Sequence, residues 1–230
     1  MTHRHRTRDR RTIRLAGYDY TQAGEYFITA CTHGRQCILG AVSDLRFYPS
    51  DIGNIVKRCW DAIPEHFPNA RGGMIQIMPN HLHGIITIRP RTNHVGAGHV
   101  QPLHERTKQH LPQFQRIAPG SLGSVIRSLK AAVTKESREK SLVSDGPLWQ
   151  RNFYDHIIRD DISQFYVERY IEVNPLLWRL DVENPGIAGD ETNLDAIRNA
   201  LRDELHFDPA SIEYITRNEI EYRAWRSANA

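Results

Sequence analysis

The residues best equipped for chemistry stand in Met78-Pro-Asn-His-Leu-His-Gly84 and in the run that ends at Asn174-Pro175. In an extended strand side chains alternate, so His81 and His83 share a face, ~6–7 Å apart along the chain, while Leu82, Gly84, Ile86 and Ile88 take the other. Two imidazoles on one face make half a site for a borderline divalent metal and leave it short of ligands. By spacing alone, two surface histidines on an edge strand explain the motif better, because His-x-His occurs freely. The second set lies on a helical wheel: Gln164, Glu168 and Glu172 make the solvated arc, and Tyr166, Tyr170 and Asn174 form an i, i+4 stripe opposite it. A buried amide must find a partner, and the Asn174 carbonyl oxygen can serve a cation or cap the helix end. Tyr170, one turn earlier, could then bring a nucleophile to the same ion. For Tyr170 considered alone, core packing is the better explanation.

The elements that position these residues follow from their patterns. Glu25–Thr32 (EYFITACT) is aromatic and β-branched and reads as a strand. Asp51 precedes a helix in which Ile52, Ile55, Val56, Cys59, Trp60 and Ile63 recur at helical spacing. Gly73–Met78 and Leu82–Ile88, split by Pro79-Asn80, read as two strands of a hairpin. Residues 89–120 have no apolar period and collect Pro, Gly and His, a long exposed loop. Ser121 caps a helix carrying Leu122, Val125, Ile126, Leu129, Ala132 and Val133 on one side. Pro147–Arg159 reads as a fourth strand. Asp160-Asp161 open the helix that holds Tyr170, and Asn174-Pro175 is expected to stop it.

This order predicts an α+β fold, a ferredoxin/RRM-like β-α-β-β-α-β antiparallel sheet with helices on one face, the other face left for a site, and an extra helix carrying Tyr170. Three segments are expected: a basic arm over 1–14, a main domain over 15–182 with the His- and Pro-rich loop inserted, and an acidic appendage of two short helices over 183–230.

Composition narrows the partners. The chain has 230 residues, 40% hydrophobic and 25% charged, with no apolar run near the ~20 residues of a membrane span. Three cysteines without CxxC spacing argue against a disulfide framework and a cysteine zinc cluster, so a reducing cytoplasm is the expected location. The net charge of +3 hides a gradient: residues 1–14 hold six Arg against one Asp, and residues 181–230 hold five Arg against eleven acids. Arg4, Arg6, Arg8, Arg10, Arg11 and Arg14 suit phosphate contacts by counterion release. A solvated, disordered terminus is the plainer alternative.

Five segments taken together, RLAGYDYTQAGEYFITACT, MPNHLHGII, LGSVIRSLKAAVTK, LWQRNFYDHIIRD and ERYIEVNPLLW, resemble the REP-associated tyrosine transposases, relatives of single-tyrosine HUH transposases of insertion sequences. The resemblance covers about residues 10–180. It implies that His81 and His83 bind a divalent metal (Mg²⁺ or Mn²⁺), that Tyr170 is the catalytic tyrosine and that Asn174 is the third ligand. Tyr154 and His156 compete for the roles of nucleophile and ligand. They rank lower because the fourth strand cannot be registered against the histidine strand from sequence.

The implied activity is metal-dependent cleavage and strand transfer on single-stranded DNA with REP-like hairpins. Tyr170 would form a 5′-phosphotyrosine and free a 3′-hydroxyl, with no nucleotide cofactor; a homodimer is one possible assembly. Two readings stand beside it: a DNA-hairpin binder without chemistry, which the same fold order allows, and a metal phosphodiesterase that uses water.

Overall fold

The computed structural model describes residues 18–90, 118–187 and 194–229. Arg4, Arg6, Arg8, Arg10, Arg11 and Arg14, and most of the His-rich loop, lie outside the described residues. In chain order the strands are β1 (Gly24–Cys31), β2 (Gly40–Ser43), β3 (Arg46–Pro49), β4 (Ala70–Ile77), β5 (His81–Ile88) and β6 (Tyr154–Ile158). The helices are α1 (Asp51–Asp61), α2 (Ile63–His66), α3 (Leu122–Glu139), α4 (Asp161–Leu177), α5 (Leu194–Asn199) and α6 (Pro209–Asn229).

Four strands form one antiparallel sheet in the order β4-β5-β1-β6. This is the β-α-β-β-α-β arrangement expected from the sequence, built from β1, α1, β4, β5, α3 and β6. Pairing sets Thr29 of β1 opposite both His83 of β5 and Tyr154 of β6, so these three residues line up across the sheet.

Alternation then divides the core in two. Tyr26, Ile28, Ala30, Leu82, Ile86 and Ile88 point to the side covered by α1 and α3, where they meet Val56, Trp60, Val125, Ile126 and Val133. Each fully buried aliphatic side chain in this layer contributes ~1.5–3 kcal/mol. Gly84 is required here: a Cβ on it would lie 2.5 Å from the Trp60 ring, which lies over β5 while its indole Nε1 donates to the Gly73 carbonyl at 3.0 Å. Trp60 thus presses the histidine strand down from the side opposite the histidines.

The other face is not open. Phe27, Ile85, Tyr154 and Ile158 are buried under α4 and the C-terminal helices, against Val167, Tyr170, Ile171, Ile215, Tyr222 and Trp225. The expectation of helices on one face therefore holds for α1 and α3 only. Residues 194–229 pack as a second layer instead of hanging off as an appendage; the first of the two helices expected there is α5, continued by a helical turn over Ala200–Glu204, and the second is α6, long at 21 residues where a short one was expected.

Local departures have local causes. A hairpin, β2–β3, occupies residues to which the sequence reading assigned no element; its turn, Asp44-Leu45, takes positive φ (48° and 60°) without the Asn-Gly or Asp-Gly that announces such a turn. The cap of α1 is Ser50, whose Oγ accepts from the Gly53 N–H at 3.1 Å, and Asp51 is the first helical residue. Helix α4 runs through Pro175 to Leu177, because burial of Val173, Pro175 and Leu177 outweighs the lost backbone bond. The fourth strand keeps only Tyr154–Ile158; the segment before it is an irregular stretch tied to α3 by Lys130 Nζ, which donates to the carbonyls of Gln150 (2.9 Å) and Asn152 (2.8 Å).

Candidate metal and tyrosine site

Strand β5 and helix α4 meet on the face covered by α6. Alternation in β5 turns both imidazoles to this face, and they converge: His81 Nε2 and His83 Nε2 are 3.1 Å apart. Both rings are buried, at 0% and 2% exposure, so the surface-histidine alternative does not apply. Desolvation pulls the His81 pKa down to about 4 and that of His83 well below the ordinary imidazole value, so both rings are neutral.

Their outer nitrogens are held. Asn80 donates both amide hydrogens, to the carbonyls of Arg35 (3.1 Å) and Glu183 (2.7 Å), so its Oδ1 must be what faces His81 Nδ1 at 2.9 Å. His81 therefore carries its proton on Nδ1 and presents a bare Nε2. His83 Nδ1 meets the Thr29 hydroxyl at 2.8 Å, a partner that can donate or accept. With Nδ1–H donating to Thr29, the second Nε2 is bare as well. That is the tautomer pair a divalent ion needs; the Asn80 amide sets it at His81, and the Thr29 hydroxyl accommodates it at His83.

From α4, Tyr170 and Asn174 arrive one turn apart, both buried, as the wheel required. The Tyr170 ring lies against His83 with centroids 5.2 Å apart and against Phe27 at 5.8 Å. Asn174 Nδ2 donates to the Tyr170 carbonyl at 2.9 Å, and the same amide reaches the His83 ring and the Tyr170 hydroxyl. Two imidazole nitrogens and the Asn174 amide thus come together at one point beside Tyr170. Among the described residues no group of three or more His, Cys, Asp or Glu is placed to hold a metal ion.

Sequence reading missed the carboxylates around this point. Tyr170 Oη donates to Glu219 Oε2 at 3.5 Å, and Glu219 Oε1 accepts from Arg223 Nε at 2.8 Å. Asp181 Oδ2 lies 3.5 Å from His81 Nε2, and burial raises its pKa to about 7. Glu183 pairs with Arg35 and Arg226, each at 3.0 Å, and accepts from the Tyr222 hydroxyl at 2.8 Å. Burial drives the Tyr170 hydroxyl well above the ordinary phenol pKa, and the charges of Glu219 and Asp181 push it the same way. The only signal in the sequence was the acidity of the C-terminal segment, which does not say where it packs.

The competing residues now have a register. Tyr154 and His156 point to the same face as His83, opposite Thr29 and Phe27, but Tyr154 Oη donates to Glu221 at 3.4 Å at the outer edge of the sheet. His156 Nδ1 also lies on Glu221, 3.6 Å away, and neither residue contacts the histidine pair among the interactions described.

No model of a known protein family matches the chain. An uncharacterized protein of Haemophilus influenzae is 43% identical over 172 residues, covering 75% of this chain and 91% of that protein. A second protein of that organism, provisionally named a REP-associated tyrosine transposase, is 23% identical over 158 residues, 69% of this chain and 73% of its own length. A solved structure of a REP-associated tyrosine transposase bound to a REP hairpin aligns over 70% of this chain and 73% of that one, at 17% identity and a TM-score of 0.45. The chain belongs to one family with the uncharacterized Haemophilus influenzae protein and is a relative of the REP-associated tyrosine transposases.

Proposed function

We propose that the protein is a transposase-like, metal-dependent nuclease and strand transferase for single-stranded DNA hairpins, acting through a 5′-phosphotyrosine on Tyr170. The observation that carries this reading is the meeting of the two imidazole Nε2 atoms, 3.1 Å apart, with Tyr170 and Asn174 on one face. The relationship to a provisionally named transposase supports the same chemistry.

His81, His83 and the Asn174 amide fit a divalent ion, Mg²⁺ or Mn²⁺, which when bound would polarise the phosphodiester as a Lewis acid. The chain does the rest. Tyr170 Oη attacks phosphorus and its proton passes to solvent water, because Glu219, the carboxylate it faces while covered, is carried on α6 and moves away with that helix. The bond from phosphorus to the 3′ oxygen breaks, and that oxygen leaves as a hydroxyl on taking a proton from solvent water. Reversal by the same or another 3′-hydroxyl rejoins a strand, so no nucleotide triphosphate enters. Because α6 covers Tyr170, a phosphate meets the hydroxyl only after that helix shifts off the face.

The test is incubation with a labelled hairpin oligonucleotide bearing single-stranded flanks and Mn²⁺, followed by denaturing electrophoresis. The expected result is a protein–DNA adduct that survives denaturation and maps to Tyr170 by peptide mass. Cleavage without an adduct would give the water-using phosphodiesterase, and binding without cleavage would give the hairpin binder.

A further inference from the structure

Among the described residues, strand β6 is an edge of the sheet, with β1 on one side and no strand on the other. Around that edge, between β6, the start of α4 and the outer side of α6, opens a cleft of about 540 Å³. Its walls carry three kinds of group. Tyr20, Tyr154 and His156 offer rings, and Arg159 and Arg217 offer cations. Neither guanidinium is in an ion pair among the described residues; that of Arg217 lies over the Tyr214 ring, 5.3 Å from its centroid. The fields of both reach the His156 ring, where they lower its pKa after the larger effect of burial. Asp155, Asn218 and Glu221 add acceptors beside the rings.

Cations for an anionic oxygen, ring faces for a flat group and acceptors for N–H donors together make the recognition chemistry of one nucleotide. Position gives the nucleotide its context. Tyr154, the inner wall, stands in line with Thr29 and His83 across neighbouring strands, so at two strand spacings the cleft begins ~10 Å from the histidine pair. Phe27 bridges the interval: it pairs with His156 across the sheet and stacks on the His83 ring at 5.5 Å. The cleft also opens outward, so it can be reached while α6 still covers Tyr170.

We propose that this cleft seats an unpaired nucleotide of the single strand that flanks the cut, its phosphate on Arg159 and Arg217 and its base against His156 and Tyr20. The assignment rests on the single-stranded DNA reading of the neighbouring site. It makes docking of the flank a separate event from the chemistry at Tyr170, because all the groups that hold the nucleotide lie outside the buried site.

The experiment uses the full chain and the exposed pair Arg159→Gln with Arg217→Gln, whose removal disturbs no core. Fluorescence anisotropy measures binding to a labelled hairpin with single-stranded flanks and to the same hairpin without them, over a range of salt. The double variant should bind the flanked hairpin at least tenfold more weakly, with a log–log salt slope smaller by ~1.4, two phosphate contacts at ~0.7 each. The flankless hairpin should be held within twofold of wild type. A 5-iodouracil in the flank should crosslink to the peptide containing His156. Equal loss on both hairpins, no loss on either, or a crosslink elsewhere would overturn the assignment. Displacement of the flanked hairpin by free deoxymononucleotides would overturn it in favour of a free-nucleotide pocket. A wild-type protein that cuts flanked hairpins beside an unaffected double variant refutes the cleft and spares the cleavage reading; a wild-type protein that binds no single strand refutes both.

Discussion

Thr29→Val isolates the hydrogen bond behind His83. The Thr29 hydroxyl is buried, 2.8 Å from His83 Nδ1, and valine has nearly the same shape without the oxygen. Once a metal occupies the pair, His83 must carry its proton on Nδ1, which in the variant faces a methyl group. An unsatisfied buried donor costs about 1–3 kcal/mol, which corresponds to roughly a fivefold to hundredfold loss of affinity for the ion. Metal-free, the ring can move its proton to Nε2 and donate to His81 Nε2, 3.1 Å away, so the fold loses little. Calorimetric titration of Mn²⁺ without DNA measures the first effect. The second should be a fall of only ~2–4 °C in the metal-free melting temperature, about 1 kcal/mol for a chain of this size. Thr29→Ser should restore the affinity. If Thr29→Val folds and binds Mn²⁺ as wild type does, Thr29 does not support the metal-binding tautomer of His83.

Tyr170→Phe should abolish the covalent adduct and cleavage while shifting stability by no more than ~1 kcal/mol, because it removes one hydroxyl with a long bond to Glu219; Tyr154→Phe should retain both activities, as an adduct assay on the two variants decides. His81→Ala should remove cleavage and largely spare DNA binding, since phosphate contacts dominate affinity, and loss of both by anisotropy would count against the metal role. Gly84→Ala forces a methyl to 2.5 Å from Trp60 and should lower stability by ~1–3 kcal/mol, seen as a melting temperature several degrees lower by circular dichroism. Deleting residues 1–11, which hold five of the six Arg of the basic arm, should weaken DNA binding and flatten its salt dependence; an unchanged slope would make the arm a solvated terminus.

The strands and helices that carry the histidines and Tyr170 were legible because each has its own period. Leu82, Ile86 and Ile88 alternate with His81 and His83, and Asn174 falls one turn after Tyr170 on a side free of charge. What failed were signals that depend on distant packing. Pro175 reads as a stop because a local rule says so, and only burial of Leu177 shows why the helix continues. Helix α6 hides its buried side because that side is polar in part: Ser211, Thr216, Asn218 and Glu219 are all buried with Ile215 and Tyr222, so no apolar stripe marks it.

One local signal for the second layer was nonetheless present in β1. Tyr26, Ile28 and Ala30 alternate with Phe27, Thr29 and Cys31, and neither set is charged, a pattern that belongs to a strand covered on both sides. Something had to lie over Phe27 and Cys31, and the Tyr222 hydroxyl, 3.3 Å from the Cys31 sulfur, is part of what does. The chemistry follows from that cover. Under α6 the imidazoles stay neutral and the Tyr170 hydroxyl stays protonated, whereas in water a carboxylate at 3.5 Å would do little to either. The same burial that keeps His81 and His83 neutral therefore holds Tyr170 in its protonated form, and in the proposed reaction a divalent ion held by the histidines would supply the positive field that offsets Glu219 and Asp181.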